Sequence, residues 1–159
     1  MKFSLIDRIQ SLEAGRSITA IKTLSLAEEY LQDHFPGFPV MPGVLMVEAL
    51  VQSSAWLMRH TEDFRYSIVL LREARAVKFN SFLSPGKTLE IESSVHKRDG
   101  NMWQFKAGGQ VDGQSTVSAR LTLEQFNPGE GNPGLAIADQ RRIDSLRQEF
   151  RVLWQPPKA

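Results

Sequence analysis

The amino-acid sequence predicts an α+β fold: an antiparallel β-sheet wrapped around a long central α-helix, with an extra helix at the carboxyl end. Three observations carry this. Residues 44–60 form a helix-length segment that is apolar around most of its circumference. Strand-like runs joined by turn signals lie on both sides of it. A breaker-rich stretch, residues 127–134, then precedes a last amphipathic segment. A sheet and an apolar helix each need a partner for a buried face, and packing one against the other satisfies both.

Taken in order, residues 3–13 read as a strand with Phe3, Leu5, Ile6 and Ile9 as its apolar positions. Glu13-Ala14-Gly15-Arg16 is a turn, and residues 17–24 return as the antiparallel partner. Residues 26–32 are short and helix-like. Residues 34–43 contain Pro36, Gly37, Pro39, Pro42 and Gly43. Proline lacks a donor and fixes φ, so this stretch is a shaped loop. Pro42 suits a first helical turn, where the missing donor costs nothing. Val44, Leu45, Val47, Val51, Ala55 and Met58 then recur at helical spacing. Residues 66–79, 88–95, 103–111 and 116–126 read as strands. The turns between them are Ser84-Pro85-Gly86, Arg98-Asp99-Gly100-Asn101 and Asp112-Gly113, and the last three strands make a meander. The expected organisation is a main domain over residues 1–126, a Gly/Pro-rich linker over 127–134 and a helical extension over 135–159. In the extension Ile143, Leu146, Phe150 and Leu153 form a narrow apolar stripe, with Arg141, Arg142, Asp144 and Arg147 expected to face solvent.

Composition narrows the function classes. The chain has 159 residues and a formal net charge of +1, so no global charge points to nucleic acid or an anionic membrane. There is no cysteine, which removes disulfides, thiolate nucleophiles and cysteine metal sites together. The longest apolar stretch is broken by Glu48 and Gln52, and residues 1–10 lack the apolar core of a signal peptide. These features lead to the expectation of a cytoplasmic protein without a membrane span. No histidine–histidine or histidine–carboxylate spacing of metal type appears, so no metal site is expected.

The stretch that carries chemistry is His34-Phe-Pro-Gly-Phe-Pro-Val-Met-Pro-Gly-Val-Leu-Met-Val-Glu48-Ala-Leu-Val-Gln52. A histidine stands at the mouth of a rigid loop, and a glutamate stands inside the next helix. Val44, Leu45, Val51 and Gln52 share the helix face of Glu48. Apolar surroundings favour the acid form of a carboxyl group. Gln52 is placed to donate a hydrogen bond that orients it. A neutral imidazole can take a proton near pH 7, and a carboxyl can give one. The free amides of the first helical turn, near Gly43 and Val44, offer a place to polarise a carbonyl oxygen.

This string resembles the signature of the 3-hydroxyacyl-acyl-carrier-protein dehydratases of bacterial fatty acid synthesis, which have a hotdog fold. The likeness extends to FSLIDRI near the start, to EARAVKFNSFLSPGKTLEIE at residues 73–92 and to VDGQSTVSARL, covering roughly residues 3–124. The resemblance implies a hydro-lyase that converts a (3R)-3-hydroxyacyl thioester to the trans-2-enoyl thioester and water. It implies that His34 removes the α proton and Glu48 assists departure of the hydroxyl. It implies that the Gly43 amide binds the thioester carbonyl, with Val44, Gln52 and Phe38 completing the substrate site. It further implies an acyl carrier protein or another thioester carrier as partner, and a homodimer with sites at the subunit interface, with a trimer of dimers as a larger assembly. Glu48, rather than aspartate, leans toward dehydration without isomerisation.

Some features depart from the family pattern. Phe38 stands where many members carry a basic or polar residue, and Arg72 where an acid is common. The usual N-terminal helix is missing, and the segment after Phe126 is extra. A hotdog thioesterase and a non-catalytic acyl-binding protein are the competing readings. Such thioesterases usually lack the histidine, so His34 weighs against the first. Arg72, Arg75, Lys78, Lys97 and Arg98 form a candidate basic rim for an acidic carrier. His60, His96, Trp56 and Trp103 read as structural.

Overall fold

The computed structural model describes residues 3–158. Two strands, β1 (Arg8–Glu13) and β2 (Ser17–Thr23), precede the central helix α1 (Gly43–Thr61). Four follow it: β3 (Ile68–Phe79), β4 (Thr88–Asp99), β5 (Met102–Val111) and β6 (Gln114–Phe126). All pairings are antiparallel, in the order β1-β2-β4-β5-β6-β3. One twisted sheet thus wraps one helix, as the sequence predicts.

The inner face of the sheet alternates as burial requires. Ile18 and Ala20 of β2, Leu89 and Ile91 of β4, Trp103 and Phe105 of β5, and Val117, Leu121 and Leu123 of β6 are buried. Against them lies the carboxyl half of α1, where every residue from Ser53 to Met58 is buried. Ser54 and Ser93 satisfy each other across this contact at 2.7 Å. Gly109 lets β5 approach β4, because a Cβ there would come within 2.7 Å of Leu89. The amino half of α1 is more open: Val44 is 73% exposed.

Several sequence boundaries shift. The first strand starts at Arg8, because residues 3–6 run as irregular backbone that buries Leu5 and Ile6 without pairing. The helix-like segment 26–32 is one 3-10 turn, Glu29–Gln32. Pro42 caps α1 instead of entering it, and its carbonyl takes the amides of Leu45 and Met46. The stretch expected to be an irregular linker holds a single helical turn, α2 (Pro128–Gly131), and a 3-10 turn, Pro133–Leu135. The last helix, α3 (Ala136–Leu153), docks over the carboxyl end of α1. Phe150 lies 5.8 Å from the Trp56 ring and 5.3 Å from those of His60 and Phe64. Asp139 accepts from Ser67 Oγ and from the Gly129 amide, each at 2.6 Å. Arg147, expected in solvent, keeps its side chain 39% exposed while it donates to Asp63 and lies over the Phe64 ring. A guanidinium can cover an aromatic face with its charge still partly in water.

Sheet order leaves β3 at an edge, and from Leu70 onward all of its residues are exposed. They include Leu70, Leu71, Val77 and Phe79. Ala76 has φ 48° at a register shift against β6. Such bulges twist a strand and re-aim its side chains. Here Phe79 reaches the amino end of α1, where a Cβ on Gly43 would lie 2.8 Å from its ring.

Candidate active site

The motif residues gather around the amino end of α1. His34 ends the segment before the proline loop and is half-buried. The loop folds on itself as a small hairpin. Phe35 and Phe38 exchange both backbone hydrogen bonds, at 3.1 and 3.0 Å, and Val40 donates its amide to the His34 carbonyl at 3.0 Å. Pro36 and Gly37 form the tip, where Gly37 takes φ 78°, a conformation glycine adopts without cost. Met41 then ties the loop to the connection between β3 and β4 by donating to the Leu83 carbonyl at 2.9 Å. This frame sets the histidine tautomer. Nδ1 of His34 lies 2.8 Å from the Val40 carbonyl oxygen. A carbonyl can only accept, so in the neutral ring Nδ1 carries the proton and the basic lone pair lies on Nε2.

Glu48 is half-buried on α1. Gln52, one turn on, donates from Nε2 to Glu48 Oε1 at 3.0 Å, as the sequence spacing predicts. Neither hydrogen bond nor ion pair joins His34 to Glu48 among the described residues. The expectation of apolar surroundings is met only in part: Val51 is buried, but Val44 is largely exposed. The Gly43 and Val44 amides have no acceptor among the described residues, as expected for the first helical turn. Phe38 and Phe82, both more than half exposed, meet edge to face at 5.7 Å beside the loop. Phe82 carried no signal in the sequence, since an aromatic after a strand reads as core or surface alike.

Gln52 differs from its sequence assignment as a substrate contact. Its amide is already committed to the protein: besides Glu48, it donates to the Phe3 carbonyl at 3.2 Å and accepts from the Leu5 amide at 2.8 Å. The candidate basic rim also changes. Arg72 pairs with Glu124, Arg75 with Glu73 at 2.7 Å and Arg98 with Glu62 at 2.6 Å, so neighbours on the sheet and helix offset three of its five charges. Trp103 is buried under Arg98, and His60 stacks on Phe150, as structural residues do. A depression of about 770 Å³ lies elsewhere, on the outer sheet face between Glu92, Lys106, Gly108 and Arg120, and contains none of the motif residues. Among the described residues no group of three acidic, histidine or cysteine side chains is arranged to hold a metal ion. No helix there is long and apolar enough to cross a membrane.

Chemically the arrangement offers a free imidazole nitrogen, a carboxyl held by one oxygen, and two open amides at the positive end of a helix. Those are the parts of acid–base chemistry beside a polarised carbonyl.

Known proteins resemble this chain in sequence and in fold. Residues 1–120 match the model of the FabA-like domain. The 3-hydroxyacyl-[acyl-carrier-protein] dehydratase FabZ of Janthinobacterium sp. (strain Marseille) is 38% identical over 135 residues, spanning 80% of this chain and 86% of the relative. The FabZ of Anaeromyxobacter sp. (strain Fw109-5) is 40% identical over 121 residues, spanning 74% and 77%. Among solved structures, one from the dehydratase heterocomplex ApeI:P of Xenorhabdus doucetiae superposes with a TM-score of 0.67 at 20% identity, covering 84% of this chain and 90% of that one. That likeness supports the hotdog fold. With a family model over three quarters of its length and FabZ relatives over most of it, the chain belongs to the FabA-like family of hotdog dehydratases.

Proposed function

We propose that the chain dehydrates a 3-hydroxyacyl thioester, borne on an acyl carrier protein, to the trans-2-enoyl thioester and water. The observation that carries the reading is the His34 tautomer. Nδ1–H is held by the Val40 carbonyl, so Nε2 is free to accept a proton. The thioester carbonyl sits at the Gly43 and Val44 amides, where polarisation acidifies the neighbouring C–H. His34 Nε2 removes that α proton. The Cβ–O bond breaks as the Cα=Cβ bond forms, and Glu48 gives its proton to the departing hydroxyl, which leaves as water. The proton on His34 returns to the carboxylate through solvent, restoring both groups. Phe38 borders the substrate at the loop.

The dimer is part of the proposal. β3 offers twelve residues of edge strand with exposed Leu70, Leu71, Val77 and Phe79. A long apolar edge is a template for pairing with a second copy. No hydrogen bond or ion pair joins His34 to Glu48 within the chain among the described residues, which suits sites completed across the two-fold, each with His34 from one subunit and Glu48 from the other.

The test is to incubate the protein with a 3-hydroxyacyl-carrier protein and follow both products. Enoyl thioester without free thiol supports the dehydratase. Free thiol would identify a thioesterase, and neither product would leave an acyl-binding protein.

A further inference from the structure

We infer that the irregular amino-terminal segment Phe3–Ile6 is a positioning strap for Glu48, acting through Gln52. The inference rests on the dehydratase reading and goes beyond it, since it gives the segment a role in orienting Glu48 that the reading does not contain.

The argument starts from the amide of Gln52. It has two donors on Nε2 and an acceptor oxygen, and rotation by half a turn exchanges them at little cost. Only one of those orientations gives Glu48 a donor; the other sets an oxygen against its carboxyl. The strap selects between them. The Leu5 amide can only donate, and it meets Gln52 Oε1 at 2.8 Å. The Phe3 carbonyl can only accept, and it meets Nε2 at 3.2 Å. With both ends taken by backbone groups of opposite polarity, the remaining N–H is aimed at Glu48 Oε1, at 3.0 Å. Oε1 being engaged, the transferable proton belongs on Oε2, the oxygen that Gln52 leaves open.

The strap is itself fixed. Leu5 and Ile6 are 1% and 2% exposed. Asp7 donates its amide to the Ile21 carbonyl at 2.9 Å, and its carboxylate accepts the Thr23 amide at 2.7 Å. Ser4 closes the bend by donating to the Ile6 carbonyl at 3.1 Å. A segment that forms no strand is thus pinned on the sheet at one end and spends its free backbone groups on one side chain of α1.

Leu5→Pro removes the donor, and Gln52→Met removes the amide at similar volume. Each should lower kcat by roughly 10–100-fold, a loss of alignment in the acid step, while KM changes less than about twofold. The decisive comparison is the double variant. If the strap acts only through Gln52, Leu5→Pro adds no further loss in the Gln52→Met background. Multiplying losses, or a Leu5→Pro enzyme with native kcat, overturn the inference. Should Leu5→Pro not fold, Ser4→Gly loosens the segment between its two clamped groups without deleting either. It should lower kcat by about two- to fivefold at native KM, again only when Gln52 is present. A native kcat there overturns the strap equally. Wild-type protein assayed alongside separates the two levels: if it makes no enoyl thioester, the dehydratase reading fails and the strap falls with it.

Discussion

Replacing Phe150 by alanine tests whether α3 belongs to the folded core or merely follows it. The ring is 9% exposed and packs on Trp56, His60 and Phe64, all at the carboxyl end of α1 and the turn beyond it. A buried phenylalanine cut to alanine costs about 3–5 kcal/mol. This one sits at the rim, where α3 can settle inward, so the lower end, about 3 kcal/mol, is the fitting figure. For a chain of this size each kcal/mol moves Tm by about 2–4 °C, giving a fall of about 6–12 °C. Catalysis should not follow. Glu48 and His60 are twelve residues apart on one helix, about 18 Å along its axis. Thermal unfolding by circular dichroism gives the first quantity, and turnover at 25 °C per folded molecule gives the second. A Tm within 2 °C of wild type would mean that α3 covers nothing that matters to stability. A large loss of kcat in folded protein would mean that the two ends of α1 are coupled in a way the packing does not explain.

Other outcomes follow from single features. The Tyr30 hydroxyl is buried, and burial, followed by the nearby Glu28 charge, holds its proton on far above the ordinary value of 10.0. The folded state therefore keeps a proton that the unfolded chain gives up, so stability should fall as pH rises above 10.0. Tyr30→Phe should flatten that fall in chemical denaturation, because the group that titrates is removed. On the outer sheet face Lys106 opposes Arg120, which opposes Arg75, and among the described residues Lys106 and Arg120 form no ion pair. Like charges directly opposite are destabilising, so Lys106→Gln should raise stability by at most about 1 kcal/mol at low salt. The gain should vanish at high salt if repulsion is the cause.

The part of this molecule that is legible in sequence is the part governed by local rules. Helical spacing and the proline loop place α1 within one residue of its amino end, and the turn dipeptides place the meander. The extra helix was legible as well, since Ile143, Leu146, Phe150 and Leu153 form a stripe that calls for a hydrophobic partner, with a frayed tail as the competing reading. The illegible part depends on which backbone groups are left over after folding. Nothing in Phe3-Ser4-Leu5 marks its amide and carbonyl as partners of Gln52, because backbone groups are the same in every residue. Their availability follows from the strand starting at Arg8 and not at residue 3. The Val40 carbonyl that fixes the His34 tautomer is hidden in the same way. Lys22 shows a second kind of limit. In β2 it shares the inner face of Ile18 and Ala20, where a charge is costly, and it is 4% exposed because Glu28 at 2.6 Å and Asp7 at 3.7 Å supply the counter-charge that burial requires. That ion cluster is assembled from three separate segments, and no window along the chain contains it.

The central claim is that one imidazole and one carboxyl, contributed by different copies of the chain, dehydrate a 3-hydroxyacyl thioester. His34→Ala and Glu48→Gln should each lower turnover by about 10²–10⁴-fold as isolated dimers, the range for acid–base groups. Mixing the two inactive proteins under conditions of verified subunit exchange is the most direct measurement. Each heterodimer then holds one site with both native residues, and enoyl thioester formation should return to about one quarter of the wild-type rate for a statistical mixture with half of its dimers mixed. A mixture that exchanges subunits yet stays inactive would contradict the claim and place both groups of each site within a single chain.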